Sequence, residues 1–433
     1  MDYIVFKPIK KRTKTFYNND LIDDDLPYIQ DGLLYIPKSI LKERYFIPTK
    51  EECKRKEEEE EEKNNNEITD RSLKKKNNKS EESNDLKLFN NLFQREPVGL
   101  ENIGGVCYMN AVLQCFFHCI PLTKYFLSLD ENQKNNLRDL SQGYYELIKG
   151  LSSGNIRAAK EFKEAMMKID ESFIGNEGKD SKDVAILLLS ELQNELSENK
   201  DSILNIDKNV NLYNKIDVYN NTMEAIKKSN NQTIITDIFN FYITFEQKCL
   251  NKCEKFSETL YQIDSDNIMV FQLEKIYNRK QSNRGNRDPI ISLEDCLKYY
   301  SLPEDINCPI CKQKSFKIRK VICTLPKILI FVLSRGHKVK FNCKIEYSND
   351  IDMKNYYEPI ENSNINNTKY KLFAATFAID WDYKANAHTI ALCRSYKQTQ
   401  NHNQYYLFND REAKRVKINE IKNTPYLLFY EQM

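Results

Sequence analysis

The chain has 433 residues, with 65 basic and 63 acidic side chains and a net charge of +2. This balance excludes a global electrostatic field directed at nucleic acid or a membrane surface, so we expect neither as a partner. Glycine occurs only 11 times. Because neither GxxxxGK[ST] nor GxGxxG is present, a nucleotide-phosphate loop is not expected.

The first 96 residues divide into two segments by composition. Residues 1–50 show no sustained hydrophobic period and predict an irregular leader, with at most a short strand or helix. Residues 51–96 open with EECKRKEEEEEE and continue with Lys, Asn and Ser, so we expect a disordered charged linker. Its acidic run, 57–62, suits either a basic partner or, more simply, a solvated spacer.

The N-terminus carries no apolar run typical of a signal peptide, and 328–333, the longest apolar run, is too short to span a bilayer. The 12 cysteines are therefore expected to be reduced thiols, some of them metal-bound, in the cytoplasm or the nucleus.

Residues 99–114, GLENIGGVCYMNAVLQ, place Cys107 between a glycine-containing loop and an amphipathic helix. Apolar residues at three- and four-residue spacing continue to Ile120, and Pro121 is expected to end this helix. A helix N-terminus stabilises a thiolate, so Cys107 is a candidate nucleophile. A lone cysteine is also often a small buried apolar residue, and the local pattern leaves both interpretations open.

Helices are expected to come first in the remaining chain, and strands afterwards. Three amphipathic stripes lie within 140–151, 162–169 and 183–196, whereas the segments from residue 233 onward are rich in β-branched and aromatic residues. The predicted strand segments are TIITDIF, FYITFEQ, IMVFQL, FKIRKVI, KILIFVL and KVKFNCKIEY. This order predicts an α+β fold with an active site between a helical and a β-rich lobe.

Two close pairs of cysteines predict a metal site. Cys249 and Cys253 form CLNKC, and Cys308 and Cys311 form CPIC. Four thiolates suit a tetrahedral Zn²⁺ and leave no open position, so the metal is expected to be structural and not catalytic. A nucleic-acid-binding zinc ribbon is the competing interpretation, which the near-zero net charge disfavours.

A thiol nucleophile needs a base, and the chain has four histidines. His118 lies eleven residues beyond Cys107 on the same expected helix, too far to reach its thiol. His337 and His402 lie in polar turns, where solvation explains them. His388 begins an alternating apolar segment, which suits an imidazole at a strand edge, although packed histidines are common.

Residues 99–114 resemble the cysteine box of the ubiquitin-specific proteases, papain-like cysteine peptidases of family C19, whose pattern is GLxNxGNTCYMNAxLQ. Gly105 and Val106 replace the usual Asn and Thr. The resemblance implies Cys107 as the nucleophile and Asn102 as a side-chain donor to the oxyanion. An amide N–H aimed at a developing oxyanion is a recurring device of acyl transfer.

The C-terminal segments YKLFAATFAIDWDYKANAHTIALCRS, YYLFNDREAKRV and YLLFYE resemble the histidine box of the same family. The resemblance implies His388 as the base and Asn409 as the residue that orients it, with Asp410 as the reserve. Ala387 and Thr389 depart from the usual Gly and Tyr.

Asp183 matches the Asp of the family's QQDAxEFLxxLL box, which implies a contact with basic residues of ubiquitin. Ser181 and Lys182 replace the Gln pair, and Ile186 replaces the Glu. An Asp that stabilises the start of its own helix explains the residue equally well. The four-cysteine cluster matches the family's zinc-bearing fingers, here expected at about 234–320 inside a catalytic domain of residues 97–433.

The resemblance implies a helical thumb, a β-rich palm and zinc-ribbon-like fingers. It implies a thiol-dependent deubiquitinase with a Cys-His-Asn triad that acts on ubiquitin and ubiquitinated proteins, consumes no cofactor and is expected to be a monomer. The substitutions in the three boxes motivate two alternatives: a weak or inactive ubiquitin-binding scaffold on the same fold, and a protease for a ubiquitin-like modifier.

Overall fold

The structure, a computed structural model, describes the chain from residue 96 to residue 433, with gaps, and three strands nearer the N-terminus. The gaps after residue 96 are 176–178, 199–209, 230, 254–255, 283–288, 337–340, 342, 361–366, 380–387, 397–403, 419–420 and 422–423. Residues 51–95 of the expected linker at 51–96, which include its acidic run, lie outside the described residues, as do His337, Ala387 and His402.

The chain forms two compact units, Met1–Asn84 and Asp85–Met433. In the first unit, strands β1 (Tyr3–Val5), β2 (Tyr28–Gln30) and β3 (Leu33–Pro37) form an antiparallel sheet in the order β1-β3-β2. These three short strands lie within the expected leader, 1–50, for which the sequence allowed a short strand or helix.

The second unit begins its regular structure with helices. The described helices are α1 (Cys107–Phe117), α2 (Ile120–Leu127), α3 (Glu131–Asn135), α4 (Asp139–Ser153), α5 (Ala159–Ile169), α6 (Ser181–Leu196), α7 (Lys215–Lys228), α8 (Ile234–Phe239), α9 (Leu273–Ser282) and α10 (Leu293–Tyr300). The three predicted amphipathic stripes lie on α4, α5 and α6. The whole predicted stripe of α4 is buried, which confirms its period.

Two local predictions were wrong. The helix of Cys107 ends at Phe117, and Pro121 lies in the first turn of the next helix, where a proline needs no N–H partner. The segment TIITDIF forms α8 instead of a strand, because the hydroxyl of Thr233 caps the helix through a capping box with Thr236.

The strands of the second unit are β4 (Phe241–Cys249), β5 (Leu260–Asp266), β6 (Met269–Gln272), β7 (Ile291–Ser292), β8 (Glu304–Ile306), β9 (Phe316–Ile322), β10 (Ile328–Ser334), β11 (Ile345–Glu346), β12 (Asp350–Asp352), β13 (Lys369–Ile379), β14 (His388–Arg394), β15 (Gln404–Asn409), β16 (Glu412–Lys417) and β17 (Thr424–Gln432). The main sheet has the order β16-β15-β14-β13-β17-β10-β6, with β12 beside β13. All of its pairings are antiparallel except β10 with β6.

The main sheet separates two hydrophobic cores. Ile328, Ile330 and Val332 of β10 join the core that contains α1, α4, α5 and α6. Leu329 and Phe331, on the opposite face of the same strand, join the core that contains α10 and part of β4. Because successive residues of a strand point to opposite faces, a continuous apolar run indicates burial on both sides.

A second sheet, in the order β5-β4-β9-β8, carries the cysteine pairs at its end. Strand β4 ends at Cys249, and Cys308 and Cys311 lie between β8 and β9. The arrangement of helices and mixed sheets confirms the α+β class. Among the described residues, no helix has the length and apolarity needed to cross a lipid bilayer.

Candidate active site and cysteine cluster

Cys107 is the first residue of α1 and follows a glycine loop. Gly104 and Gly105 have φ angles of 75° and 68°, a left-handed conformation that glycine adopts at little cost. No acidic residue lies in the first turn of α1, and the Cys107 side chain is partly exposed. The positive end of the helix dipole therefore meets the thiol without a competing carboxylate from the first turn of the helix itself.

His388 begins β14 and is hydrogen-bonded on both sides. The Nε2–H of its imidazole donates to Oδ1 of Asn409 at 2.5 Å, and Cys107 is its second side-chain partner. Because Nε2 is engaged by the amide oxygen, Nδ1 is the ring nitrogen left for the thiol. Three regions of sequence, around residues 107, 388 and 409, thus meet where β14 begins and β15 ends in the main sheet.

The pKa of His388 is raised from 6.5 to about 9. The hydrogen bond with Cys107 is the largest cause, the hydrogen bond to Asn409 adds to it, and partial burial opposes both. A thiolate and an acceptor amide both favour the imidazolium. This environment favours the imidazolium form of His388 at neutral pH.

Asp410 does not face His388 as a ring partner; it connects the histidine region to the cysteine region. Its carboxylate accepts hydrogen bonds from Nδ2 of Asn102 and Nδ2 of Asn110, each at 2.9 Å. Its carbonyl accepts the N–H of Leu100 at 2.8 Å. Asp410 has a φ of 50°, which ends β15 in a tight turn and turns its side chain toward the cysteine loop.

Asn102 lies in the cysteine loop, with its side chain held at both ends. Its Oδ1 accepts the N–H of Val106 at 2.8 Å, and its Nδ2 donates one hydrogen to Asp410. An amide nitrogen carries two hydrogens, so one remains for another acceptor.

The turn after β15 and the start of the cysteine loop are in close approach. A Cβ on Gly99 would lie 2.3 Å from the carbonyl oxygen of Arg411, so only glycine fits there. The close approach of the turn therefore explains why glycine occupies position 99 of the motif in this chain.

His118 is placed far from this chemistry. It caps the C-terminus of α1, and its imidazole is within hydrogen-bond distance, 2.8 Å, of the Gln114 carbonyl oxygen. Burial lowers the pKa of His118 to about 4. His118 is therefore a neutral, packed histidine.

Asp183 is exposed in the first turn of α6, and Lys182 lies beside it. Lys182 Nζ lies 3.6 Å from a carboxylate oxygen of Asp183; 54% of the Asp183 side chain is exposed against 13% of Lys182. The hydroxyl of Ser181 donates to the carbonyl of Tyr108, the residue after Cys107. The starts of α1 and α6 are therefore neighbours, which brings Asp183 to the same end of the helical layer as the thiol.

The four cysteines Cys249, Cys253, Cys308 and Cys311 form one cluster, with all Sγ atoms within 4.8 Å of one another. Three separations are 3.4 Å (249 to 253), 3.9 Å (249 to 311) and 3.8 Å (253 to 308). Zn–S bonds of ~2.3 Å in a tetrahedron require sulfur separations of about 3.8 Å. The cluster can therefore hold a metal ion. Cys296 is buried in the core and is not part of it.

Polar groups surround the sulfur atoms. The buried hydroxyl of Ser315 lies 3.4 Å from Sγ of both Cys249 and Cys311, and the Asn251 amide donates to Cys311 at 3.6 Å. These hydrogen bonds, Ser315 foremost, lower the pKa of Cys311 to about 6. Such donors favour the thiolate, the form that binds a metal.

The sequence analysis did not identify several residues that hold the cysteine loop. Asn110 belongs to the motif, but nothing in the sequence indicated that it binds Asp410. Glu101 receives ion pairs from Arg157 and Arg411. Lys163 of α5 donates to a loop carbonyl. Single charged residues outside a recognised motif give no signal in the sequence, so only the fold could reveal these contacts.

Comparison with known proteins agrees with this arrangement. The family model for ubiquitin carboxyl-terminal hydrolase matches residues 98–430. Ubiquitin carboxyl-terminal hydrolase 3 of Homo sapiens is 24% identical over 315 residues, which cover 64% of this chain and 58% of that protein. Ubiquitin carboxyl-terminal hydrolase 9 of Arabidopsis thaliana is 34% identical over 126 residues, 27% of this chain and 14% of that protein.

Solved structures show the same fold. The SAGA Ubp8/Sgf11/Sus1/Sgf73 DUB module bound to ubiquitin aldehyde matches with a TM-score of 0.55 and 18% identity, over 79% of this chain and 70% of the matched chain. The yeast SAGA DUB module with an Sgf73 mutant matches with a TM-score of 0.55 and 20% identity, over 78% of this chain and 68% of the matched chain.

The chain spans about 58% of the length of human ubiquitin carboxyl-terminal hydrolase 3. The family model, by contrast, covers the segment from the cysteine loop to the last strand of the main sheet, which is most of the chain. The chain therefore belongs to the ubiquitin carboxyl-terminal hydrolase family.

Proposed function

We propose that this chain is a thiol-dependent deubiquitinase that hydrolyses the bond after the C-terminal glycine of ubiquitin. The observation that carries the proposal is the hydrogen-bonded series from Asn409 through His388 to Cys107 at a helix N-terminus. The same three residue types form the Cys-His-Asn triad of papain-like proteases.

In the first half of the reaction, the Cys107 thiolate attacks the carbonyl carbon of the terminal glycine. The tetrahedral intermediate collapses, the C–N bond breaks, and the His388 imidazolium gives its proton to the departing lysine amine. Ubiquitin remains as a thioester on Cys107. Asn409 accepts from Nε2–H throughout and keeps Nδ1 directed at the thiol.

Two donors are proposed for the negative oxygen of the intermediate. One is the backbone N–H of Cys107 at the start of α1, and the other is the remaining hydrogen of Asn102 Nδ2. Asp410 and Val106 fix the orientation of that amide before substrate arrives. Donors that are preoriented stabilise developing charge without reorganisation during the reaction.

In the second half, His388 takes a proton from water, the resulting hydroxide attacks the thioester carbonyl, and the Cys107 thiolate leaves. Ubiquitin is released with a free carboxylate. The same two donors serve this second tetrahedral intermediate.

We also propose that the four-cysteine cluster binds a structural zinc ion. The sulfur separations and the all-thiolate donor set support zinc, and four protein ligands leave no position for a substrate. The ion would hold the ends of β4 and the β8–β9 connection together and take no part in the chemistry at Cys107.

The proposal is tested with ubiquitin that carries a C-terminal propargylamide, an electrophile that reacts with a nucleophilic cysteine. We expect covalent capture by the full chain, complete loss with Cys107→Ala, and strong reduction with His388→Ala. Binding of ubiquitin without covalent capture by the native chain would overturn the enzyme and support the scaffold.

The Lys182–Asp183 ion pair favours one alternative, a protease for a ubiquitin-like modifier. An Asp183 carboxylate that already has an ammonium partner is a weaker site for a basic side chain of the substrate. Parallel labelling with the propargylamides of ubiquitin and of its relatives distinguishes the two: faster capture of a relative than of ubiquitin would replace the proposed substrate.

A further inference from the structure

The loop that precedes Cys107 is held by a lysine from a different part of the chain. Lys163 lies on α5, and its ammonium donates a hydrogen bond to the carbonyl oxygen of Ile103 at 2.8 Å. Lys163 is half-buried, so its charge is less screened than that of a surface lysine. Ile103 stands between Asn102 and the glycine pair.

This loop needs external support. Gly104 and Gly105 have consecutive left-handed conformations, and glycine loses more conformational freedom on ordering than any other residue. On one side, Asn102 and Asp410 join the loop to the turn after β15. On the other side, Lys163 holds the carbonyl of Ile103, the residue that directly precedes the glycines.

Two further contacts come from the segment just before α5. The N–H of Glu101 donates to the carbonyl of Ile156 at 2.7 Å, and the Glu101 carboxylate pairs with Arg157. Both act on the start of the loop and leave Ile103 untouched. Lys163 therefore controls the part of the backbone that sets the position of Asn102 relative to Cys107.

We propose that Lys163 is a positioning residue for the reaction described above. By fixing the carbonyl of Ile103, it holds the Asn102 amide and the Cys107 N–H where the oxyanion forms. This inference rests on the proposed deubiquitinase function. Because the hydrogen-bond partner of Lys163 is the loop backbone, we expect Lys163 to affect the stability of the transition state and not the binding of ubiquitin.

Three variants test this role: Lys163→Met, Lys163→Arg and Lys160→Met. Lys160 lies on the same helix, is exposed and pairs with Glu164, so its change removes the same charge without touching the loop. We measure kcat and KM with ubiquitin-aminomethylcoumarin, the inhibition constant of ubiquitin aldehyde, and the affinity for free ubiquitin. Thermal unfolding of each variant checks that it folds.

For Lys163→Met we expect kcat to fall about tenfold with KM within twofold, since small misplacement of reacting groups costs roughly one to two orders of magnitude. Ubiquitin aldehyde, whose adduct with Cys107 resembles the tetrahedral intermediate, should bind about tenfold more weakly, whereas free ubiquitin binds equally well. Lys163→Arg should recover most of kcat, and Lys160→Met should match the native chain.

Three results would each overturn the role of Lys163 without affecting the proposed hydrolase activity. They are an unchanged kcat for Lys163→Met, a change in Lys163→Met that is confined to KM, and an equal loss of kcat in Lys160→Met. Failure of the native chain to react with ubiquitin aldehyde would instead overturn the proposed function, and the positioning role with it.

Discussion

At the scale of single residues, the imidazole of His388 has its pKa raised to about 9 by Cys107 and Asn409. A pKa raised above the ordinary value means that the imidazolium persists at neutral pH and is lost as the pH rises through about 9. In the proposed mechanism the imidazolium supplies the proton for the leaving amine, so kcat/KM should fall on the alkaline side near pH 9.

Asn409→Ala removes the acceptor at Nε2, so the pKa of His388 should fall and the alkaline limb should move to lower pH. We also expect kcat to drop about 100-fold, because the imidazole loses its fixed tautomer and orientation. Asn409→Asp provides the contrast: a carboxylate stabilises the imidazolium more strongly and should move the limb to higher pH. Profiles of kcat/KM against pH measure both shifts; coincident profiles would contradict the assignment of Asn409.

Gly99 gives a second residue-scale prediction. Gly99→Ala places a methyl group against the Arg411 carbonyl, so the loop and the turn after β15 must separate, at a cost of ~1–3 kcal/mol in unfolding free energy. Activity should fall as well, because the same turn carries Asp410. Gly175→Ala is a contrast: Gly175 has a φ of 101° and open space around it, so this change introduces backbone strain without a clash. Urea unfolding and kcat measure both variants, and an unchanged unfolding free energy in Gly99→Ala would exclude the steric explanation.

At the scale of elements, α1 joins the chemistry to the core through its two ends. Cys107 opens the helix, and His118 closes it in a buried, neutral state with a pKa lowered to about 4. In the unfolded chain the imidazole of His118 binds a proton near pH 6.5, whereas in the native chain it binds one only near pH 4. The free energy of unfolding therefore decreases as the pH falls from about 6.5 to about 4. The difference of about 2.5 between the two pKa values corresponds to a loss of ~3 kcal/mol.

His118→Gln removes the titrating group but keeps a polar side chain, so the unfolding free energy should depend less on pH between 6.5 and 4 than it does in the native chain. Urea unfolding at several pH values measures this slope. An identical slope in the variant would show that other groups dominate acid destabilisation.

The sequence identified elements well where one period extends over several turns, as in α4 and α6. It failed at TIITDIF, where β-branched residues suggested a strand but a capping box between Thr233 and Thr236 starts a helix. At the site, strand placement and the resemblance singled out His388. The resemblance ranked Asn409 ahead of Asp410 as the partner of His388, but it could not predict what Asp410 does instead. The positive φ of Asp410 and its two asparagine partners exist only in the folded chain.

At the scale of the whole molecule, the four-cysteine cluster joins β4 to the connection between β8 and β9. If zinc binds there, the purified chain should contain one zinc per chain by mass spectrometry, and chelation should lower the melting temperature and release the ion. Cys308→Ser should lose most of the zinc, because removal of one of four thiolates leaves an incomplete tetrahedron. Cys343→Ser, a cysteine outside the cluster, is the control that should keep it. Full zinc content in Cys308→Ser would contradict the assignment.

The position of β17 in the main sheet affects synthesis of the protein. Among the described strands β17 comes last in sequence, yet it pairs with β13 on one side and β10 on the other. A nascent polypeptide on the ribosome therefore has a gap in the middle of its sheet until residues 424–432 emerge. Since β13 is also the neighbour of the His388 strand, catalytic competence is expected only once residues 424–432 have emerged and paired, and shorter products of translation should be inactive.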